Sequence, residues 1–143
     1  MCGINGFNFK NIDLLKKMSQ ITSSRGPDNE GLYFNDAFSL SHNRLAIIDT
    51  EQRSNQPLKF NNLIISFNGE IYNYLDLKKK LQNLGYVFDT NSDTEVIIKL
   101  FDKYKLDSFK MLTGIFAISI LDTLSNKIYL VRDVVGVKPL YYF

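Results

Sequence analysis

The sequence predicts an α+β fold, and three observations carry that prediction. Segments rich in branched and aromatic residues come in runs, two stretches with helical apolar spacing sit between such runs, and a short turn joins two strand candidates as a hairpin. Strands that follow one another, instead of alternating strictly with helices, favour antiparallel sheets carrying helices. With 143 residues, 45% hydrophobic and 22% charged, the chain fits one domain with a real core.

The elements follow in order. "NIDLLKKMSQI" places Ile12, Leu15, Met18 and Ile21 on one side at helical spacing, with Asn11 or Asp13 available as a cap. "SSRGPDNEG" is crowded with turn-forming residues and reads as a shaped loop. "GLYFN" and "AFSLSHNRLAIID" read as strands, and "NNLIISFNG", apolar on both parities, reads as a strand buried on both faces. In "YLDLKKKLQNLG" a stripe of Tyr74, Leu77, Leu81 and Leu84 predicts a helix that stops at Gly85. "SDTEVIIKLFDKY" repeats the pattern through Ile97, Leu100, Phe101 and Tyr104, and Ser92 with Glu95 reads as a capping box. "GIFAISILD" and "KIYLVRD" make a hairpin around "TLSN", and "KPLYYF" begins one more strand. No repeat, low-complexity tract or linker interrupts the chain.

Composition narrows the function. The net charge is +2 and the lysines are scattered except for Lys78, Lys79 and Lys80, which read as the wet side of a helix, so nothing points to nucleic acid. The longest apolar stretches, such as "IFAISIL", fall far short of the roughly 20 residues a membrane helix needs. A single cysteine forms no internal disulfide, and no secretion signal opens the chain, so a reducing cytoplasm is the expected compartment. One histidine, His42, and one cysteine give a zinc site poor support, and no metal is expected. His42 is expected to be structural.

The lone cysteine, Cys2, follows the initiator methionine. One reading is a small buried residue near a strand start. The other is a nucleophile: once Met1 is removed, an α-amine titrating near about 7.7–8.0 shares a residue with the thiol and serves as its base.

The neighbouring motifs decide between these readings. "MCGI", "RGPDNEG", "LSHNRLAIID", "QPL", "FNGEIYNYLDLKKKL", "SDTEVI" with Phe88 and Thr90 before it, "LTGIFAISILD" and "RDVVGVKPLYY" resemble, in that order and from Met1 to Tyr142, the N-terminal class II glutamine amidotransferase domain of asparagine synthetase and its close relatives. Glucosamine-6-phosphate synthase, glutamine phosphoribosylpyrophosphate amidotransferase and glutamate synthase share the terminal cysteine and a loop like "NGE", but the full set of motifs is similar to the asparagine synthetase branch. That branch also holds proteins that pass ammonia to acceptors other than aspartate.

The resemblance implies an N-terminal-nucleophile hydrolase fold, a four-layer α/β/β/α sandwich of two antiparallel sheets. It implies glutamine hydrolysis at Cys2, with Asn68 and Gly69 as the oxyanion hole. Arg44 would hold the α-carboxylate of glutamine and Asp93 its α-amino group, with Leu45, Ile47, Ile48 and Glu70 also in the substrate-binding stretches. Arginine suits a carboxylate because its planar fork presents paired donors. Relatives commonly carry a histidine where Ser24 stands here. They also continue for a further strand and helix, then a synthetase domain with a phosphate loop, whereas this sequence stops at Phe143. The expectation is therefore a domain over residues 1–143 lacking its last elements, with the synthetase domain absent and no cofactor in this chain; ATP and Mg belong to such a synthetase domain. Ammonia would pass to that domain or to a partner protein, and a homodimer is left open. A glutamine-binding or partner-docking module without chemistry, and delivery of ammonia to another acceptor, stand as alternatives.

Overall fold

The computed structural model describes residues 2–143. The elements run β1 (Gly3–Phe7), α1 (Ile12–Ile21), β2 (Asn29–Phe34), β3 (Ser39–Arg44), β4 (Leu58–Phe60), β5 (Leu63–Ile71), α2 (Tyr74–Asn83), α3 (Asp93–Tyr104), β6 (Gly114–Asp122) and β7 (Lys127–Arg132). Two antiparallel sheets result, one ordered β1-β3-β2 and the other β4-β5-β6-β7. α1 packs on the first sheet, α2 and α3 cover the second, and the sheets meet through β1, β3 and β5. The layering is the expected α/β/β/α. Among the described residues no helix is long and apolar enough to cross a membrane.

β5 explains why the second sheet lies in the middle. Its odd positions Leu63, Ile65, Phe67 and Ile71 pack with Phe116, Ile118 and Ile120 of β6 against Leu77 and Leu81 of α2 and Val96, Ile97, Leu100 and Phe101 of α3. Ile64, on the opposite parity, joins Phe38, Leu40 and Leu121 in a smaller cluster between the sheets. Apolar residues on both parities are what a strand buried on both faces requires.

Helix ends follow local chemistry. Asn11 caps α1, its side-chain oxygen accepting from Leu14 N–H at 2.9 Å. At the end of α2, Gly85 adopts φ +90 and its N–H reaches Gln82 O at 2.9 Å; only glycine takes that conformation without strain. α3 differs from an ordinary amphipathic helix in being buried continuously from Asp93 to Phe101.

Several expectations need correction. Ile21 is 81% exposed, because α1 docks through Leu15 and Ser19 onto a polar sheet face: Asn43 Nδ2 donates to Ser19 Oγ at 3.1 Å and Thr22 Oγ1 to Asn43 Oδ1 at 2.7 Å. Leu84 is 49% exposed, beyond the buried stripe of α2. β3 ends at Arg44, so "LAIID" leaves the sheet as loop. The capping box is half formed. Ser92 Oγ accepts from Glu95 N–H at 3.3 Å, while the Glu95 carboxylate takes the N–H groups of Asp89 and Thr90 at 3.0 and 2.7 Å and Lys99 Nζ at 2.5 Å. "KPLYYF" forms no strand among the described residues, and Tyr141, Tyr142 and Phe143 are exposed. β1 follows Cys2 as the strand that one reading of that residue places there, while β4, three residues long, is a strand that no sequence pattern marks.

His42 bridges the two sheets. Its Nε2 lies 3.0 Å from Phe67 O, and a carbonyl only accepts, so the proton sits on Nε2. Burial, reinforced by the nearby Arg44 charge and partly opposed by that hydrogen bond, lowers its pKa to about 4.

Two outcomes are expected. Ile118→Ala, which deletes a side chain at the centre of the main core, should lower stability by about 2–5 kcal/mol in urea denaturation. The second concerns pH. Protons bind His42 less readily in the fold (about 4) than in the unfolded chain (6.5), so its neutral form supports the fold above pH 6.5 and that support fades as pH falls. Asp93 acts oppositely: burial raises it from 3.8 to about 6, so its contribution is full below pH 3.8 and is lost as pH rises through about 6. The two slopes offset. His42→Gln should therefore become progressively more stable relative to wild type on acidification from pH 6.5 to 4, read as Tm at stepped pH; parallel Tm curves would contradict this.

Candidate active site

The site forms where β4 stops. β4 pairs only with Leu63–Ile65 of β5, so the rest of that edge is open and its backbone groups need other partners. Phe67 N–H donates to Gln56 Oε1 at 2.7 Å, Phe67 O accepts from His42, and Ile71 N–H donates to Asp93 Oδ2 at 3.1 Å. Strand alternation turns the Gly69 N–H, two residues from each, toward the same edge. Glycine is required here by space: a Cβ at 69 would lie 2.1 Å from Ile115 O.

Cys2 approaches this edge from the other sheet. Its N–H donates to Asn68 Oδ1 at 3.1 Å, and Leu45 N–H donates to its Sγ at 3.4 Å. With Oδ1 engaged, the NH2 of Asn68 is the donating end of that amide. In the chain as given, this Cys2 nitrogen is the peptide nitrogen following Met1. The expected removal of Met1 concerns a residue outside the described ones; after it, the same atom is a primary amine.

Arg44 is 4% exposed. Its Nη1 donates to Glu51 O at 3.1 Å and Asn55 Oδ1 at 2.8 Å, and its Nη2 to Ile48 O at 3.2 Å and to Asp49 O. All four terminal N–H groups thus have acceptors in the loop that follows it. That loop carries Leu45, Ile47 and Ile48, of which Ile47 is 73% exposed.

Asp93 lies at the start of α3, buried and raised to about 6 by that burial, with Glu70 adding repulsion and backbone N–H groups pulling the other way. A carboxylate in this state gains from a cation beside it. Every residue named from the sequence lines one cavity of about 110 Å³: Cys2, Arg44, Leu45, Ile47, Ile48, Asn68, Gly69, Glu70 and Asp93. Gln56, Phe67, Ser92, Thr94, Ile115 and Lys138 complete its walls.

Those additional residues carried weaker signals. Gln56 stands in "QPL", and its amide joins β5 to α3 by accepting from Phe67 N–H and donating to Thr94 Oγ1 at 3.1 Å. Lys138 is held in place by the "RDVVGVK" turn. Asp133 accepts from the N–H groups of Phe116, Val137 and Lys138 at 3.1, 2.9 and 3.1 Å, and Arg132 Nε donates to Lys138 O at 3.0 Å.

Known proteins share the sequence and the fold of this chain. The family model described as a glutamine amidotransferase domain matches residues 1–143. Asparagine synthetase (glutamine-hydrolyzing) 1 of Bacillus subtilis (strain 168) is 40% identical over 152 residues, covering 99% of this chain and 24% of that protein. The protein of the same name from Arabidopsis thaliana is 41% identical over 151 residues, covering 99% of this chain and 25% of its own length. The chain thus spans about a quarter of the length of these curated relatives. Among solved structures, glutamine phosphoribosylpyrophosphate amidotransferase from B. subtilis, complexed with ADP and GMP, superposes with a TM-score of 0.62 at 30% identity, covering 73% of this chain and 25% of that one. The sandwich is that of the N-terminal-nucleophile hydrolases. Matched along its whole length, this chain belongs to the family of glutamine amidotransferase domains.

Proposed function

We propose that the domain hydrolyses glutamine to glutamate and ammonia, with Cys2 as nucleophile, and supplies that ammonia for asparagine formation from aspartate. The observation that carries this reading is the meeting of Cys2 with Asn68 and the open-edge amide of Gly69 in one cavity.

The chemistry follows from the positions. The amine left after loss of Met1 takes the thiol proton, and the thiolate adds to the side-chain carboxamide of glutamine. Asn68 Oδ1 orients that amine. The Asn68 NH2 and the Gly69 N–H receive the oxygen of the tetrahedral intermediate, where a preorganised donor is worth about 3–4 kcal/mol. Collapse returns the proton to the leaving nitrogen, ammonia departs, and a thioester remains. Water, deprotonated by the same amine, releases glutamate and restores the thiol. Asp93 pairs with the α-ammonium of glutamine. Arg44 faces the α-carboxylate, its charge held at the cavity wall by the loop carbonyls. Leu45, Ile47, Ile48 and Glu70 line the space around the substrate.

The acceptor half of the reaction lies outside this domain. Relatives named asparagine synthetase are about four times as long, and ammonia is proposed to pass to such a synthetase domain or partner protein, where ATP and Mg would act. The cytoplasm is the proposed compartment. Delivery to a different acceptor is the second reading, since the steps at Cys2 end with glutamate and ammonia whichever acceptor takes the ammonia.

Protein with Met1 removed, verified by N-terminal mass, should release glutamate from glutamine, and Cys2→Ala should abolish release while leaving the thermal transition in place. Glutamate release by Cys2→Ala would sink the assignment. The raised Asp93 gives a second outcome. Its carboxylate form, needed for the ammonium, is lost below about pH 6, so there kcat/KM should fall about tenfold per pH unit more steeply than protonation of the α-amine alone dictates, and Asp93→Asn should remove that added steepness while raising KM.

A further inference from the structure

Asp49 stands at the end of the loop that Arg44 folds, in a left-handed conformation with φ 48. That conformation costs energy in most L residues, while Asn and Asp accept it more readily than other side chains do. It lets one residue face two ways. The Asp49 carbonyl accepts from the Arg44 guanidinium, while Oδ2 accepts from Asn91 N–H at 2.6 Å and Oδ1 from Glu51 N–H at 3.3 Å. Its side chain is only 3% exposed, and Arg53 Nη2 lies 3.6 Å from Oδ2. Burial alone would raise this carboxyl, but the hydrogen bonds from the Asn91 and Glu51 N–H groups, with the Arg53 charge, hold it below the ordinary range.

Asn91 is the informative partner. It lies two residues before Asp93, in a stretch fastened from behind by the Glu95 carboxylate on Asp89 and Thr90 and by Lys78 Nζ on Thr90 O at 2.9 Å. The loop wall is held at its start by Asp28 Oδ2 on Ala46 N–H at 2.8 Å, and beyond Ile47 its course is set by Arg44 and Asp49. The Asp49–Asn91 bond therefore joins an anchored wall bearing Asp93 to a loop wall bearing Leu45, Ile47 and Ile48, across 42 residues of sequence.

We propose that Asp49 is a positioning residue, which clasps the Arg44 loop to the segment before α3 and so sets the spacing between Arg44 and Asp93. Through that spacing it governs affinity for the two charged ends of an α-amino acid, without touching the substrate or the reacting atoms. The inference rests on the glutamine reading above for its kinetic consequence, but the clasp itself is independent of any ligand.

Two variants separate the clasp from the backbone. Asp49→Gly keeps the left-handed conformation and removes the carboxylate; Asp49→Asn keeps both the conformation and one acceptor oxygen. Losing a charge-assisted hydrogen bond should raise the glutamine KM about tenfold or more in Asp49→Gly and about threefold in Asp49→Asn, with kcat within about threefold of wild type in both. Amide hydrogen exchange, measured without glutamine, should quicken at Asn91 and across Ile47–Asp49 in the same order, leaving β5 and β6 protected. Unchanged KM in both variants, or kcat falling in step with kcat/KM, would overturn the positioning role. If wild type neither binds nor hydrolyses glutamine, the functional reading fails while exchange at Asn91 still decides the clasp: unchanged exchange in Asp49→Gly refutes it. Should Asp49→Gly not fold, the Asp49→Asn values for KM and Asn91 exchange decide alone.

Discussion

The open edge of β5 beyond Ile65 is the constraint on which the rest of the site depends. A strand edge in a packed domain leaves a row of donors and acceptors that water or side chains must meet. Here β4 covers only three residues of that edge, and the remainder is met group by group: Gln56 at Phe67 N–H, His42 at Phe67 O, Asp93 at Ile71 N–H. Each partner comes from a different part of the chain. Satisfying a single stretch of backbone thereby brings the loop before β4, the inner face of β3 and the first turn of α3 to one place, with Gly69 between them.

Burial around this edge has electrostatic consequences that run in opposite directions. His42, neutral and between the sheets, loses basicity because no charge can be solvated there. Asp93 loses acidity for the same reason, but it fronts a cavity, where a cation can restore its charged form. Behind it, Glu95 and Lys99 form a buried pair between the rings of Phe60 and Phe88, with Lys99 Nζ 4.9 and 4.7 Å from their centroids. Breaking a buried pair of this kind exposes one uncompensated charge to a low-dielectric interior. The pair thus holds the segment before α3 rigidly, and Asp93 inherits that rigidity.

Much of the fold was legible in the sequence because its signals are local. The stripes of α2 and α3, Gly85 after α2, and the β6–β7 hairpin all rest on neighbours within a few residues. The errors arose where distant partners override local pattern. Ile21 continues an apolar stripe that α1 does not use, since the sheet beneath it presents Ser and Asn. Glu95 has capping-box spacing, yet Lys99 and the Thr90 segment are stronger partners than the Ser92 N–H. The proposed site residues were legible only as a set of motifs, since neither "NG" nor a lone cysteine is specific by itself. Gln56 and Lys138 escaped notice because their placement comes from tertiary contacts: Phe67 and Thr94 for the first, the Asp133 turn for the second.

Arg44 shows how a cavity can be charged and shaped by the same side chain. Its four terminal N–H groups point to Ile48, Asp49, Glu51 and Asn55, acceptors spread along eight residues of loop. A lysine offers three donors from a single point and no plane, so it cannot hold acceptors so arranged. The arginine therefore fixes the loop and, by being fixed, carries its positive charge at a defined place in the wall. A charge already held by the protein needs little reorganisation when an anionic group arrives, which is the condition under which electrostatics act most strongly in a site. Asp49 completes this arrangement from the other end: it accepts from Arg44 through its carbonyl and from Asn91 through its carboxylate, so the position of the cation is referred directly to that of Asp93.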